Sequence, residues 1–521
     1  SKYRPTPFWS WNEKLDIDTT LKQIDEMKEA GMGGFFMHAR GGLQTEYLGE
    51  EWFENIKKSV EHAQKNDMLA WGYDENGWPS GFASGKVCEQ GAAFQQKRLR
   101  CDITDKPVIT DTTISNVMID GINYHSYYVV NPYYVDVLNP EAVKCFINNT
   151  HEKYKTELGD SFKKLCGFFT DEPQILASGI GWSFVIPKAF KTAYGVDIEH
   201  LIPCLFFEIG EYKQVRYQFW HIVRELFCEN FLEQISNWCH ENDMGFTGHM
   251  MLENRMVEQI GANSAIMSTY EYLTIPGMDY LGKTLAPPLI PLQVASVAHQ
   301  LGKKQTISET FAMCGWNVSF EELRWNYEWL MVHGITLLCQ HLEGYSIRGI
   351  RKRDYPASLF VQQPWWNEYR YFNDLVSRIG MLLTDGETNF EVLLLHPQET
   401  AWINYNDKDN GMLDYYDTSL CNIIENLEQN HICFDLGDER IMERHARIEN
   451  GKLVIGKQSY STVIVPPSQV YSKNTLNLLK KFKANGSNLL FCGEVPTLVC
   501  GNPTDEFLKL SADCKVSIED I

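Results

Sequence analysis

The chain up to about residue 387 repeats one pattern of hydrophobic and polar positions. A short apolar run is followed by polar or aromatic residues, and then by a stretch in which apolar residues recur at helical spacing. Such alternation is typical of βα units whose strands lie parallel in one sheet. The predicted strands are residues 7–12, 33–40, 69–74, 165–170, 245–249, 265–272, 304–309 and 335–341.

Eight such units within residues 1–387 predict a (β/α)₈ or TIM barrel. A doubly wound open sheet is the alternative topology that the same pattern allows. The pattern breaks at about 97–139, where runs rich in β-branched residues and tyrosine alternate with Asp-Gly and Asn-Pro turns. This segment is predicted to be a small β insertion in the barrel.

Residues 388–521 follow a different pattern. Short buried-strand runs at 392–395, 432–434, 463–465 and 489–491 are separated by helical stretches. This arrangement predicts a flavodoxin-like (glutamine-amidotransferase-like), doubly wound α/β domain. Because its sequence contains neither a recognisable nucleophile nor a phosphate loop, we expect this domain to have a structural or assembly role.

The charge balance narrows the classes of partner. The chain has 47 Lys and Arg against 68 Asp and Glu, a formal net charge of −21, which repels nucleic acid and anionic membranes. The apolar runs fall short of the roughly 18 residues that span a bilayer. We therefore expect neither a nucleic-acid nor a membrane partner, and a neutral substrate fits this balance. Aromatic residues make up 13 % of the chain, with 14 Trp, which is compatible with a carbohydrate substrate because aromatic faces pack on sugar rings. The pattern does not indicate an oligomeric state.

The cysteines suggest a reducing compartment. All 14 are spread along the chain and never form Cys-x-x-Cys, the spacing typical of zinc sites. Several, including Cys166, Cys339 and Cys492, lie in apolar runs, where a free thiol behaves as a small hydrophobe. A cytoplasmic location is the expectation, although a chain that starts at Ser1 is also compatible with a removed N-terminal signal.

Two glutamates are the predicted catalytic pair. Glycosidic cleavage requires two carboxyl groups across the scissile bond, one to donate a proton and one to activate water or attack the sugar. Glu172 and Glu309 follow predicted strands four and seven, on roughly opposite sides of a barrel mouth, where active sites of this fold lie. The alternative is that each is held in a buried ion pair, for instance with Arg40 or Arg348.

Other polar and aromatic residues near the strand ends are predicted to bind substrate. Carboxylates and histidines could bind sugar hydroxyls, and tryptophans could stack on a sugar ring. Each could equally have a structural role, such as capping a turn or filling the core. These candidates are His38, Arg40, Asp74, Glu75, Trp78, Asp171, His249, Trp316 and His341.

Two other function classes are compatible with these residues. A non-catalytic carbohydrate-binding barrel would keep its tryptophans in the cleft but lock Glu172 or Glu309 in ion pairs. A metal-dependent lyase or isomerase would use His249 or His341 as a base, beside a metal that histidines hold.

Several motifs carry a family resemblance. They are PFWSWN at 7–12, GGFFMHAR at 33–40, YDENGWPSG at 73–81, TDEP at 170–173, SET at 308–310 and YSIRGIRKRD at 345–354. Together they resemble glycoside hydrolase family 106. The resemblance implies an inverting, calcium-dependent α-L-rhamnosidase whose catalytic carboxylates are Glu172 and Glu309, without assigning the acid and the base. Inversion implies carboxyl groups about 6.5–9.5 Å apart.

Overall fold

The computed structural model describes residues 1–356, 359–406 and 410–517, and its main feature is a barrel of parallel strands. Eight strands lie side by side in chain order. They are Phe8–Trp11, Gly34–Ala39, Leu69–Asn76, Gly167–Asp171, Gly245–His249, Ile275–Tyr280, Ile307–Thr310 and Leu337–Gln340. The short strand Glu343–Gly344 follows the eighth and pairs with the first, which nearly closes the barrel. We refer to the eight as barrel strands one to eight.

Helices connect the strands and surround this barrel. Most of them are amphipathic and bury one apolar face in the protein core. They include Ile17–Glu29, Glu50–Lys65, Pro140–Asn149, His151–Leu158, Ile186–Tyr194, Ile202–Phe206, Tyr212–Phe227, Gln234–Glu241, Met256–Asn263, Leu289–Leu301, Phe320–Val332 and Tyr369–Asp385. Among the described residues, no helix is both long and apolar enough to cross a membrane.

Barrel strand six does not lie where the sequence pattern placed it. The prediction of a strand at 265–272 is wrong, because Met267–Tyr272 forms a short 3₁₀ helix and the strand is Ile275–Tyr280. Both segments are buried, and a short buried helix cannot be told from a buried strand by periodicity alone. Pro276 made the segment 275–280 look unlike a strand, yet Pro276 lies within the sheet and pairs with Gly248.

The predicted β insertion is an antiparallel sheet between barrel strands three and four. Its strands are Gln95–Thr104, Thr113–Ile119 and Ile122–Val135, with the short strand Gly181–Trp182 added at one edge. The sheet therefore extends beyond the predicted range, because its fourth strand comes from the connection after barrel strand four.

Alternate residues of the barrel strands fill the barrel interior. Phe8 and Phe169, on strands one and four, contact each other with ring centroids 4.8 Å apart. They belong to a buried cluster that is separate from the core outside the barrel. Side chains alternate in direction along a strand, so the residues two positions after Phe8 and Phe169 also face the barrel interior, nearer the carboxyl ends of the strands. The side chains at this upper level of the barrel are polar: Ser10, His38, Asp171, His249, Asp279 and Glu309.

The residues after the barrel form a second parallel sheet of five strands. In spatial order they are Phe434–Gly437, Val392–Leu395, Thr462–Val465, Asn488–Cys492 and Lys515–Val516. Helices Gln398–Asn404, Gly411–Gln429, Glu439–His445 and Lys473–Ala484 connect them. Two small sheets were not predicted: Ala446–Glu449, Lys452–Ile455 and Gln458–Tyr460, and Val470–Tyr471, Leu498–Val499 and Asn502–Pro503.

Buried ion pairs join the second sheet region to the barrel region. Arg440 donates from Nε to Glu225 (2.9 Å) and from Nη1 to Glu271 (3.0 Å). Arg224 donates from Nη1 to Glu399 at 3.1 Å, with both side chains almost fully buried. Removal of one partner from such a pair leaves a buried charge uncompensated, which is strongly destabilising.

We therefore expect Arg440→Met to destabilise the protein by about 3 kcal/mol, because Glu225 and Glu271 would lose their shared partner. The measurement is the shift of the denaturant midpoint of unfolding. Arg447→Met is the matched control, since Arg447 and Glu449 pair at the surface and such a pair contributes about 0.5 kcal/mol. Equal midpoints for the two variants would contradict the stabilising role of Arg440.

Candidate active site

The candidate site lies at the carboxyl ends of barrel strands four, five and seven. His249, at the end of strand five, lies between two carboxyl groups from the neighbouring strands. Its Nε2 is 2.8 Å from Glu309 Oε2 and 3.5 Å from Asp171 Oδ1. All three side chains are buried. The structure thus brings together three residues that the sequence pattern nominated separately.

The contact between His249 and Glu309 sets the charge of both groups. Burial works against a charged imidazole, but the hydrogen bond to Glu309 and the nearby Asp171 raise the pKa of His249 well above its usual value. Burial also opposes ionisation of Glu309, yet the bond from His249 and its positive charge hold the pKa of Glu309 below its usual value. At neutral pH the pair is therefore an imidazolium and a carboxylate.

Glu172 has the opposite protonation preference. Burial raises its pKa to about 8, against the lowering effect of His249 and with a further rise from Asp171. Its Oε2 accepts a hydrogen bond of 2.7 Å from the indole Nε1 of Trp78. At neutral pH this carboxyl group is mainly protonated, while Glu309 is ionised. Two carboxyl groups whose pKa values diverge in this way suit an acid and a base.

The backbone at Glu172 is held in an uncommon conformation. Its φ is +48°, in the left-handed region that costs a non-glycine residue about 1 kcal/mol or more. The Glu172 amide donates to the carbonyl oxygen of His249 at 3.1 Å. This bond ties the residue after strand four to the end of strand five, next to the imidazole.

Asp279 is a further carboxylate of the site that the sequence analysis missed. It lies near the end of barrel strand six, and burial, followed by the charge of Glu309, raises its pKa well above the usual value. Its Oδ1 is buried without a hydrogen-bond partner, so it can accept a bond from a ligand. Glu253 supports it by accepting from the Asp279 amide at 2.8 Å. Because strand six was predicted at 265–272, Asp279 was not recognised as a residue near a strand end.

Asp74 and Glu75 are fully buried, and their carboxylates bind the loop after barrel strand three. Their role in substrate binding stays a prediction. Asp74 alternates with the inward-facing Tyr73, so its carboxylate points outward, where Ser80 Oγ donates to it. Glu75 accepts four backbone N–H groups at 2.7–3.2 Å, from residues 81–84. Both carboxylates fix the loop that carries Trp78.

His38 and His341 lie at the carboxyl ends of strands two and eight as neutral rings. His38 stacks on Tyr73 with centroids 3.6 Å apart, and burial holds its pKa well below the usual value. Burial also lowers the pKa of His341, to about 4. Arg40 Nη2 is 3.5 Å from His341 Nε2. These rings can exchange hydrogen bonds with sugar hydroxyls without adding charge.

The arginines proposed as ion-pair partners of the two glutamates bind elsewhere. Arg40 pairs with Asp354 through two bonds of 2.8 and 3.0 Å. Arg348 pairs with Glu13 at 2.7 Å. Neither contact involves Glu172 or Glu309, so the carboxyl pair is not held by these guanidinium groups.

The two candidate tryptophans differ in position. Trp78 is 47 % exposed while its indole nitrogen binds Glu172, so an exposed aromatic face lies beside the protonated carboxyl group. Trp316 is 36 % exposed and donates to the carbonyl oxygen of Lys352 at 3.0 Å. Trp78 is thus directly linked to the carboxyl pair, and Trp316 to the loop after strand eight.

Two groups of side chains, which share His249, could bind a metal ion. One is Asp171, His249 and Glu309, and the other is Glu172, His249 and Asp279, with ligand atoms within 4.8 Å of one another in each group. Calcium takes about six to eight oxygen ligands, whereas each group offers two carboxylates and an imidazole. These side chains alone do not fit calcium, and their mixture of oxygen and nitrogen is nearer to the donor set of zinc.

Comparison with known proteins bears on the fold. No family model matches the sequence. A protein named putative beta-glucuronidase from Formosa agariphila is 21 % identical over 374 residues, which cover 68 % of this chain but only 29 % of that protein.

Two solved structures are similar over nearly the whole chain. A rhamnosidase from Novosphingobium sp. PP1Y has a TM-score of 0.72 at 12 % identity, over 98 % of this chain and 70 % of that one. A beta-galactosidase from Halorubrum lacusprofundi has a TM-score of 0.63 at 12 % identity, over 96 % and 74 %. The chain therefore has the TIM-barrel fold that glycoside hydrolases use.

Proposed function

We propose that this chain is a glycoside hydrolase in which Glu172 is the general acid and Glu309 the general base. The observation that carries the proposal is that these two carboxyl groups flank one imidazolium and hold opposite protonation states at neutral pH. That division of roles is what glycosidic cleavage demands. The similarity in fold to glycosidases supports the same class of reaction.

In the proposed reaction the proton of Glu172 passes to the glycosidic oxygen as the bond to the anomeric carbon breaks. A water molecule attacks that carbon and gives a proton to Glu309, so that the products are a free sugar and an alcohol. Asp279 would accept a sugar hydroxyl. The anionic groups around the site stabilise the positive charge that develops on the sugar ring.

We further propose a neutral sugar as substrate, with α-L-rhamnosides of the family 106 type as the leading candidates. Besides the catalytic pair, Asp171, Asp279 and Glu253 lie near the imidazolium of His249, while the nearby Arg40 is already paired with Asp354. Such an excess of carboxyl groups disfavours an anionic sugar. The motif resemblance and the rhamnosidase-like fold support the choice, and inversion stays a prediction of the resemblance.

Calcium dependence also stays a prediction, and no step above uses a metal. Because His249 occurs in both groups of possible ligands, a metal-dependent lyase or isomerase is the second candidate function. Analysis of the products separates the two, because a glycosidase adds water and releases a free sugar, whereas a lyase eliminates without water and an isomerase releases nothing.

For residues 388–521 we propose a flavodoxin-like, doubly wound domain with a structural role. When the five strands of its sheet are numbered along the chain, their order across the sheet is 2-1-3-4-5. This order is typical of flavodoxin-like domains. The buried pairs of Arg440 with Glu225 and Glu271 support a role in holding the barrel.

Substitution of either glutamate should abolish hydrolysis for different reasons. In a panel of aryl glycosides that includes the α-L-rhamnoside, we expect Glu172→Gln and Glu309→Gln to lower kcat/KM about a thousandfold. With a dinitrophenyl leaving group, which needs no proton, Glu172→Gln should recover most of its activity and Glu309→Gln should not.

Glu328→Gln is the control for these variants, since Glu328 binds Arg324 on the surface and its loss should leave kcat/KM unchanged. If wild type cleaves no glycoside, the chain has the fold without the activity and the carbohydrate-binding alternative is favoured. Recovery of Glu309→Gln instead of Glu172→Gln would reverse the two roles.

The pH profile of kcat/KM should be bell-shaped. Glu172 must be protonated, so activity should fall as pH rises through about 8. Glu309 must be ionised, so activity should fall only below the usual pKa of a glutamate. Trp78→Phe removes a hydrogen bond that favours ionised Glu172, so it should move the alkaline limb to higher pH.

Trp316→Phe is the matched control, because Trp316 donates to Lys352 and not to Glu172. Its alkaline limb should coincide with that of wild type. An alkaline limb that both tryptophan variants leave in place would show that another group controls it.

A further inference from the structure

A cavity of about 740 Å³ lies between the barrel region and the second sheet. On the barrel side its walls come from helices Leu289–Leu301 and Phe320–Val332. On the other side they come from residues at the amino ends of strands Val392–Leu395 and Phe434–Gly437. The cavity is thus separate from the barrel mouth, and its volume is typical of a small-molecule site.

Apolar side chains form much of the cavity wall. Phe434 and Leu292 line it, and Phe390 packs edge-to-face on His299 with centroids 5.4 Å apart. Two further apolar residues of the wall remain open to solvent, with Val332 72 % and Leu383 44 % exposed. An apolar ligand would cover this surface and gain the free energy of its burial.

His299 is held in a fixed orientation at the cavity wall. Its Nδ1 is 2.9 Å from Asp435 Oδ1, and Tyr460 donates to the other oxygen of Asp435 at 2.8 Å. Because the carboxylate can only accept, Nδ1 carries the proton, and in the neutral ring Nε2 is the acceptor. Such a carboxylate–imidazole pair is preorganised for a ligand that donates a hydrogen bond.

A second imidazole pair lies on the same wall. His333 donates from Nδ1 to the carbonyl oxygen of Trp329 (2.6 Å), and its Nε2 is 2.9 Å from Glu428 Oε1. Both partners are hydrogen-bond acceptors, so they orient the ring between helix Phe320–Val332 and Glu428. Like the first pair, this one links the barrel region to the second sheet region.

The charge of the cavity wall selects among ligands. Three carboxylates line it, Glu387, Glu428 and Asp435, and two of them contact the wall histidines His333 and His299. The described residues of the wall include no lysine or arginine. An anion would be repelled, whereas a neutral or cationic group that donates hydrogen bonds meets acceptors.

We propose that this cavity is a second binding site, for a small and largely apolar ring compound that donates hydrogen bonds and carries no negative charge. Its apolar body would lie against Phe390 and Phe434, and its donor would face His299 and Glu428. The site is independent of the glycosidase proposal, because it shares no residue with the barrel mouth.

The test is calorimetric titration of the whole chain with three naphthalene probes: naphthol, naphthylmethylamine and naphthoate. We expect naphthol or the amine to bind, and naphthoate to bind at least about tenfold more weakly. Cys433 lines the cavity and is exposed, so its alkylation with N-ethylmaleimide should abolish binding. The variant Cys433→Ser, treated in the same way, should still bind.

The outcomes are distinct. Binding that alkylation blocks in wild type and not in Cys433→Ser supports the site, and the relative affinity of naphthol and the amine decides between a neutral and a cationic ligand. Equal binding of naphthoate, no binding of either donor, or binding that alkylation leaves intact would overturn it. A failure of glycoside hydrolysis alone would count against the proposed function and not against this site.

Discussion

The barrel mouth depends on one charged contact, the hydrogen bond between His249 and Glu309. Ionised groups inside a barrel are costly unless they are paired. The imidazolium offsets that cost for Glu309 and, at 3.5 Å, for Asp171. Burial raises the pKa of Glu172 to about 8, and the imidazolium only partly offsets this effect. The acid and the base therefore differ because the cation is hydrogen-bonded to Glu309.

This arrangement follows from strand alternation and from one anchored loop. Phe169 fills the lower layer of the barrel, and Asp171, two residues later, faces the mouth. Glu75 is fully buried and binds the backbone of residues 81–84. That loop carries Trp78, whose indole nitrogen reaches Glu172. A carboxylate that takes no part in the proposed chemistry thus helps to position one that does.

Much of the barrel could be predicted from the sequence, because its long buried runs between amphipathic helices specify βα units. Strand six could not, since Pro276 and the neighbouring 3₁₀ helix gave misleading signals, and Asp279 was missed with it. Glu172 and Glu309 meet around His249 only in the folded barrel, so the sequence pattern could nominate each residue but not their arrangement. The contacts of Asp74 and Glu75 with the loop after strand three likewise depend on packing that the sequence pattern does not contain.

The proposed reaction requires that Glu172 is protonated while Glu309 is ionised at neutral pH. Infrared difference spectroscopy between neutral and alkaline pH measures it directly, without a substrate, through the carbonyl stretch of a protonated carboxyl group. We predict a band that disappears at about pH 8, is missing in Glu172→Gln and persists in Glu309→Gln. A band that follows Glu309, or the absence of any Glu172-dependent band, would contradict the account.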